Sequence, residues 1–103
     1  MAEIKTPPVP AQHVPDKTEF LDARIPGSFR VEPPDSFGER TFWYVCPCGC
    51  RAVGPLTVGD GFKPPDSPTW RWNGSYARPA LDPSVWWKGH WHGWLKDGVW
   101  TSC

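Results

Sequence analysis

The chain has 103 residues, the size of one small domain. Lys plus Arg number 11 and Asp plus Glu also number 11, so net charge gives no electrostatic reason to expect binding to nucleic acid or to an anionic membrane. No apolar segment is long enough to span a bilayer, and the first residues lack the apolar region of a secretory signal. These features predict a cytoplasmic protein.

The first forty residues are rich in proline and contain half of the 14 prolines in the chain. Proline fixes φ and removes a backbone donor, so residues 1–40 are predicted to form a proline-rich extended arm that adds little to the core. A short turn or helix is expected at residues 16–23, where Phe20 and Leu21 can anchor it. The arm is either a disordered leader or a segment that wraps its own domain or a partner.

The pattern changes to that of β-strands at Thr41. Residues 41–45 are aromatic and β-branched and favour a strand that leads into a cysteine turn, and residues 51–58 are its predicted hairpin partner. Further strands are expected at residues 69–72, 85–87, 91–96 and 99–102, with no helix after residue 40. The prediction is a small all-β domain over residues 41–103, built from antiparallel hairpins.

The dipeptide Asp97-Gly98 is a strong signal for a two-residue hairpin turn. Counting outward from this turn places Leu95 opposite Trp100 and His92 opposite Cys103. Directly opposed residues of an antiparallel pair have Cβ atoms about 4.5–5.5 Å apart. His92 and Cys103 are therefore predicted to project side by side, as two ligands of one metal ion would.

The turn at residues 46–50 carries Cys46, Cys48 and Cys50, with a proline and a glycine that let the sulfur atoms converge. In the cytosol, clustered cysteines are more often metal ligands than disulfides, and Zn²⁺ prefers a tetrahedron of sulfur and nitrogen. We therefore predict one zinc ion, in preference to copper or iron. Cys46 with Cys50, or Cys48 with Cys50, would supply the second ligand pair. Free thiols or one disulfide are the alternative.

His90 is expected on the same strand face as His92, one step further out. It is a spare ligand, a group that supports a ligand, or simply an exposed residue. Four protein ligands close a zinc site, whereas a catalytic site keeps one position for water. Since three cysteines, Cys103 and His92 suffice to close the site, a structural zinc is favoured over a catalytic one.

Most of the eight tryptophans are expected in the core, because few other residues can fill it. A stacking platform for sugars or bases is the alternative. Trp86 and Trp87 are adjacent, so one of them should point outward from an extended segment. That residue is a candidate contact for a partner.

Ser84 is a candidate nucleophile if Asp82 and one of the histidines lie beside it. The alternative is a serine that caps an Asp-Pro-Ser turn. No nucleophile-elbow glycine pattern surrounds Ser84, which favours the turn.

Several motifs in this order resemble a known family: the cysteine turn after an aromatic strand, residues 70–74 (Trp-Arg-Trp-Asn-Gly), residues 78–85 (Arg-Pro-Ala-Leu-Asp-Pro-Ser-Val) and His92 shortly before Asp97-Gly98. Over residues 42–101 the chain is similar to small proteins of unknown function from tailed phages, prophages and bacterial operons. Phage members are often labelled ammonia monooxygenase. The resemblance implies a metal-binding, zinc-ribbon-like β domain with the cysteine cluster and His92 as ligands. Many members have a cysteine near that histidine, where this chain has His90.

The resemblance and the arm together predict a zinc-stabilised structural or binding protein, encoded by a phage. Its arm and Trp-rich surface would contact a protein partner, either a virion component or a host factor, in the virion or in the host cytoplasm. The alternative is a zinc- or serine-dependent hydrolase or acyl transferase that uses Ser84 and a nearby histidine. Some bacterial relatives sit beside ubiquitin-like conjugation machinery, which supports this alternative.

Overall fold

The computed structural model describes residues 3–103. Over this range the elements are β1 (Val9–Pro10), α1 (Lys17–Ala23), β2 (Phe29–Val31), β3 (Glu39–Val45), β4 (Val53–Asp60), β5 (Trp70–Trp72), β6 (Leu81–Trp87), β7 (Trp91–Lys96) and β8 (Val99–Ser102). The prediction of a small all-β fold built from antiparallel hairpins is confirmed. No helix in residues 3–103 combines the length and the apolar character that crossing a bilayer requires.

All strands belong to one sheet, in the order β1-β8-β7-β6-β5-β4-β3-β2. Neighbouring strands are antiparallel except for β4 and β5, which are parallel. The β7–β8 hairpin has the register expected from its turn, with Leu95 opposite Trp100. Asp97 and Gly98 both have positive φ, 50° and 78°, as a two-residue turn matched to the twist of the strands requires.

Aromatic side chains fill the core on one face of the sheet. Three of the eight tryptophans, Trp72, Trp91 and Trp100, are fully buried. Three more are partly buried and pack against the core, namely Trp43, Trp70 and Trp87. Along β7 the pattern alternates, because Trp91 and Leu95 are buried whereas His92 lies on the opposite, partly exposed face. This alternation places His92 on the outer surface of the sheet.

The N-terminal segment contributes more to the core than its composition predicts. Of the proposed arm at residues 1–40, the structure describes residues 3–40, in which β1 pairs with β8 and β2 pairs with β3. Phe29 is fully buried and stacks on Phe42 with ring centroids 4.9 Å apart. The many prolines keep both strands short, but one buried aromatic ring needs no regular repeat around it.

The helix expected at residues 16–23 is present as α1. Asp16 caps it, because its Oδ1 accepts a hydrogen bond from the Glu19 backbone N–H at 2.8 Å. Phe20 is its buried residue. The segment thus wraps its own domain. The division of the chain at residue 40 stays a prediction, and in the structure both parts share one sheet.

Replacing Phe29 tests whether this segment is integral to the fold. We expect Phe29→Ala to lower the free energy of unfolding by about 3–5 kcal/mol, the usual cost of removing a buried phenylalanine. The matched control is Phe37→Ala, because Phe37 is 79% exposed and its removal should change little. Urea unfolding of both variants measures the difference. A loss of stability for Phe29→Ala no larger than for Phe37→Ala would show that the segment is dispensable.

Candidate active site

Ser84 on β6 and His92 on β7 form a hydrogen-bonded pair. The distance from Ser84 Oγ to His92 Nε2 is 3.2 Å, and both residues are partly buried. An alcohol within hydrogen-bond reach of an imidazole nitrogen is the arrangement that activates a serine nucleophile. The turn-capping role favoured for Ser84 is therefore wrong, since Ser84 lies in a strand and its hydroxyl contacts a histidine.

An irregularity in β6 brings Ser84 to this position. Leu81 pairs with Leu95 and Val85 pairs with Gly93, so residues 82–84 all lie opposite the single residue 94. Pro83 cannot donate a ladder hydrogen bond, which explains why the strand bulges here. Bulges re-aim side chains and are common beside active sites.

One acidic side chain, Glu3, shares a cavity with His92 but is hydrogen-bonded elsewhere. His92 lines a cavity of about 240 Å³ with Cys103 and the residues Glu3, Ile4 and Lys5. Glu3 instead accepts a hydrogen bond from the Gly89 backbone N–H at 3.1 Å. Within residues 3–103 no carboxylate hydrogen-bonds to His92, so the pair is a dyad.

Asp82, which the sequence offered as a possible partner of Ser84, lies in a separate cleft of about 500 Å³. Arg71, Trp94 and Lys96 also line this cleft. Asp82 and Arg71 are paired across β6 and β5. The carboxylate is thus directed to a charged surface rather than to the dyad.

A second constellation lies beyond the other end of β6. Cys46, Cys48, Cys50 and His90 have ligand atoms that all lie within 4.8 Å of one another, close enough to bind a metal ion. The sulfur atoms of Cys46 and Cys48 are 3.2 Å apart, and Cys50 Sγ is 3.3 Å from His90 Nδ1. Three thiols and one imidazole are donors of the type that borderline metals prefer.

Local turns present these ligands. The cysteine turn joins β3 to β4, and it begins where the Cys46 backbone N–H donates to the Ala52 carbonyl at 2.9 Å. Gly49 has φ of 90°, a conformation that suits glycine. His90 lies in the turn between β6 and β7, where its N–H donates to the Trp87 carbonyl at 2.9 Å. The cluster therefore ties the β3–β4 turn to the β6–β7 turn.

The structure divides the predicted metal ligands into two groups. The three cysteines and His90 come together, whereas His92 and Cys103 lie outside the cluster. His92 and Cys103 are neighbours as predicted, since the Cys103 N–H donates to the His92 carbonyl at 3.0 Å. The prediction that His90 lies on the same strand face as His92 is wrong, because β7 begins at Trp91 and His90 belongs to the turn before it.

Burial and hydrogen bonding act in opposite directions on the cluster thiols. Burial raises the pKa of Cys46. Burial also acts to raise the pKa of Cys50, but hydrogen bonds from the Ala52 backbone and from the neighbouring cluster side chains outweigh it and lower the pKa to about 7. Cys50 therefore has substantial thiolate character near neutral pH, and the thiolate is the form that binds metals.

Comparison with known proteins bears on the role of the dyad. The family model described as bacterial ubiquitination-like system serine protease (BubE) matches residues 13–103. The chain belongs to this family. No curated protein and no solved structure matches it.

Membership of the BubE family corrects the prediction of a phage-encoded structural binding protein, because the family is named for serine protease activity. The finding supports the alternative that relies on Ser84 and a nearby histidine. Sequence reasoning had identified both residues. It did not choose between His90 and His92 as the partner of Ser84, because that choice depends on the bulge at residues 82–84, which brings Ser84 close to the diagonal residue His92.

Proposed function

We propose that this protein is a serine protease of a bacterial ubiquitination-like system, with Ser84 as nucleophile and His92 as general base. The observation that carries the proposal is the 3.2 Å hydrogen bond between Ser84 Oγ and His92 Nε2. The match of residues 13–103 to the BubE family supports it independently. Its protein partner would then be a conjugate or precursor made by that system.

The dyad can carry out both halves of acyl transfer. His92 Nε2 takes the hydroxyl proton as Ser84 Oγ attacks the carbonyl carbon of the scissile amide. When the C–N bond breaks, the imidazolium returns this proton to the leaving amine, and an ester to Ser84 remains. Water then attacks the ester carbonyl carbon and His92 accepts a water proton. When the bond from this carbon to Ser84 Oγ breaks, the imidazolium gives the proton to Oγ, so the carboxylic acid is released and the free serine and neutral histidine are regenerated. Since no carboxylate in the described part of the chain hydrogen-bonds to His92, the pairing of β6 with β7 must hold the residue in place.

We propose that the Cys46, Cys48, Cys50 and His90 cluster binds one zinc ion in a structural role. Three thiolates and an imidazole are a known structural zinc set, and four protein ligands leave no open position for water. When bound, the ion would supply a cross-link between two turns. His90 lies two residues before His92, so the cluster would fix the end of the hairpin that bears the dyad.

Labelling with a fluorophosphonate tests the proposed nucleophile directly, because these probes phosphonylate activated serines. We expect one adduct per chain, located on Ser84 by peptide mapping. Ser84→Ala should abolish labelling, whereas the control Ser36→Ala, at an exposed loop position, should label like the wild type. A folded, zinc-loaded protein that gives no adduct on Ser84 would contradict the proposed function.

A further inference from the structure

The sheet contains a gap between β4 and β6, beside Ser84. The intervening strand β5 pairs with β4 only at residues 58–60 and with β6 only at residues 81 and 82. In the strand order β6-β5-β4, residues 53–57 and residues 83–87 therefore have no strand partner within residues 3–103 on the sides that face each other. Unpaired strand edges present backbone groups that seek hydrogen bonds.

An aromatic cleft of about 370 Å³ occupies this position, and we call it the slot. Its lining includes residues 53–56 of β4, together with Trp70, Trp86, Trp87 and Lys88. A Cβ added at Gly54 would lie 3.1 Å from the Trp87 ring, so the absence of a side chain there lets this ring reach across to β4. The volume falls in the range of pockets that hold ligands.

The slot is bounded at each end by a site already described. At one end, Trp70 Nε1 donates a hydrogen bond to the Ser84 carbonyl oxygen at 3.1 Å. At the other end, the Trp87 ring contacts the His90 ring, with centroids 5.2 Å apart. Trp86 is 59% exposed and its ring lies 6.1 Å from that of His92. A chain lying in the slot would therefore pass Trp70, which contacts the Ser84 carbonyl, and Trp86, whose ring neighbours that of His92.

We propose that the slot binds an extended segment of the substrate polypeptide, added in line with β5, with an apolar side chain of that segment against Trp70 and Trp86. Strand addition supplies main-chain hydrogen bonds, and pockets for side chains supply specificity. This inference rests on the proposed function, since it names what the dyad acts on. The cleft at Asp82 suits such a segment less well than the slot does, because that cleft lies beside β5 and not at the gap between the strands.

The charge of the residues that line the slot predicts which peptides it prefers. Lys88 lines it, and no carboxylate does among the described residues. The segment should therefore carry an acidic rather than a basic residue beside its apolar one. An exposed ion pair contributes up to about 1 kcal/mol, so we expect a preference of up to about five-fold.

A charge exchange tests the slot without any catalysis. The protein is the Ser84→Ala variant, and the probes are two fluorescein-labelled pentapeptides, Asp-Leu-Phe-Leu-Gly and Lys-Leu-Phe-Leu-Gly, followed by fluorescence anisotropy. We expect the Asp peptide to bind more tightly, and Lys88→Glu to reverse the order. The matched control is Lys96→Glu in the cleft at Asp82, which should leave the order unchanged. Reversal by Lys96→Glu but not by Lys88→Glu would overturn the proposal, and so would binding of neither peptide at about 1 mM.

Backbone methylation separates strand addition from simple apolar contact. The probe is a twin of the Asp peptide that carries methyl groups on the backbone nitrogens of its first Leu and its Phe. This twin keeps every side chain, but these two nitrogens can no longer donate hydrogen bonds. We expect its affinity to fall by about ten-fold or more, as the loss of one or two main-chain bonds implies. Equal binding of the twin would overturn strand addition. Fluorophosphonate labelling of Ser84 without peptide binding would overturn the slot alone, whereas peptide binding without labelling would overturn the proposed function alone.

Discussion

His92→Ala should lower kcat/KM for a peptide or ester substrate by about 10³-fold or more while the protein stays folded. Without the imidazole, no group of residues 3–103 lies at hydrogen-bond distance to accept the Ser84 proton. In serine proteases, removing the histidine costs nearly as much as removing the whole catalytic unit. The measurement is steady-state kinetics on an activated ester, with the thermal unfolding midpoint recorded in parallel.

The control for His92→Ala is Cys103→Ser. Cys103 lines the same cavity as His92 but makes no side-chain hydrogen bond to it among the described residues. We expect this variant to keep its activity to within about two-fold, since exposed substitutions usually have small effects. Added imidazole should restore part of the activity of His92→Ala. Retention of more than about one tenth of the activity in His92→Ala would show that another group is the base.

Loss of the bound metal should have the second large effect, on stability. We expect one zinc per chain in the wild type, and loss of that zinc from Cys46→Ser, Cys50→Ser and His90→Ala. The free energy of unfolding should fall by about 4 kcal/mol or more, because a small sheet loses the link between two of its turns. Elemental analysis and urea unfolding with and without a chelator measure both quantities.

Two variants outside the cluster distinguish this ligand set from the one predicted by sequence. His92→Ala and Cys103→Ser should keep their zinc, since neither residue lies in the cluster. Zinc lost from these variants but retained by His90→Ala would restore His92 and Cys103 as ligands. Wild-type protein that contains no metal, with its cysteines free or paired, would contradict the zinc proposal altogether.

Sequence reasoning succeeded where structure depends on short-range pattern. The Asp97-Gly98 turn fixed the register of the last hairpin, and the spacing of the cysteines predicted their convergence. It failed where a single irregular residue decides the geometry. Pro83 permits the bulge that brings Ser84 to His92, and His90 lies in the turn before β7 rather than on the strand face that bears His92. Two histidines only two positions apart consequently have different neighbours.

The contribution of the first forty residues to the core could not be predicted from the sequence either. Phe29 belongs to a single short apolar-polar-apolar run, Phe29-Arg30-Val31, which is too brief to mark the residue as buried. Its stacking on Phe42 is a contact between distant parts of the chain. Such contacts follow from the completed sheet and have no signature in either segment alone.

The order of the strands has one more consequence, for the solubility of the protein. Both outermost strands, β1 and β2, come from the first 31 residues, so the beginning of the chain covers the two margins of the sheet. These strands have only two and three residues, and β1 includes Pro10, which offers no N–H to a neighbouring molecule. The longer strands β8 and β3 are thus kept from pairing with other copies, and the prolines that limit regular structure also discourage aggregation.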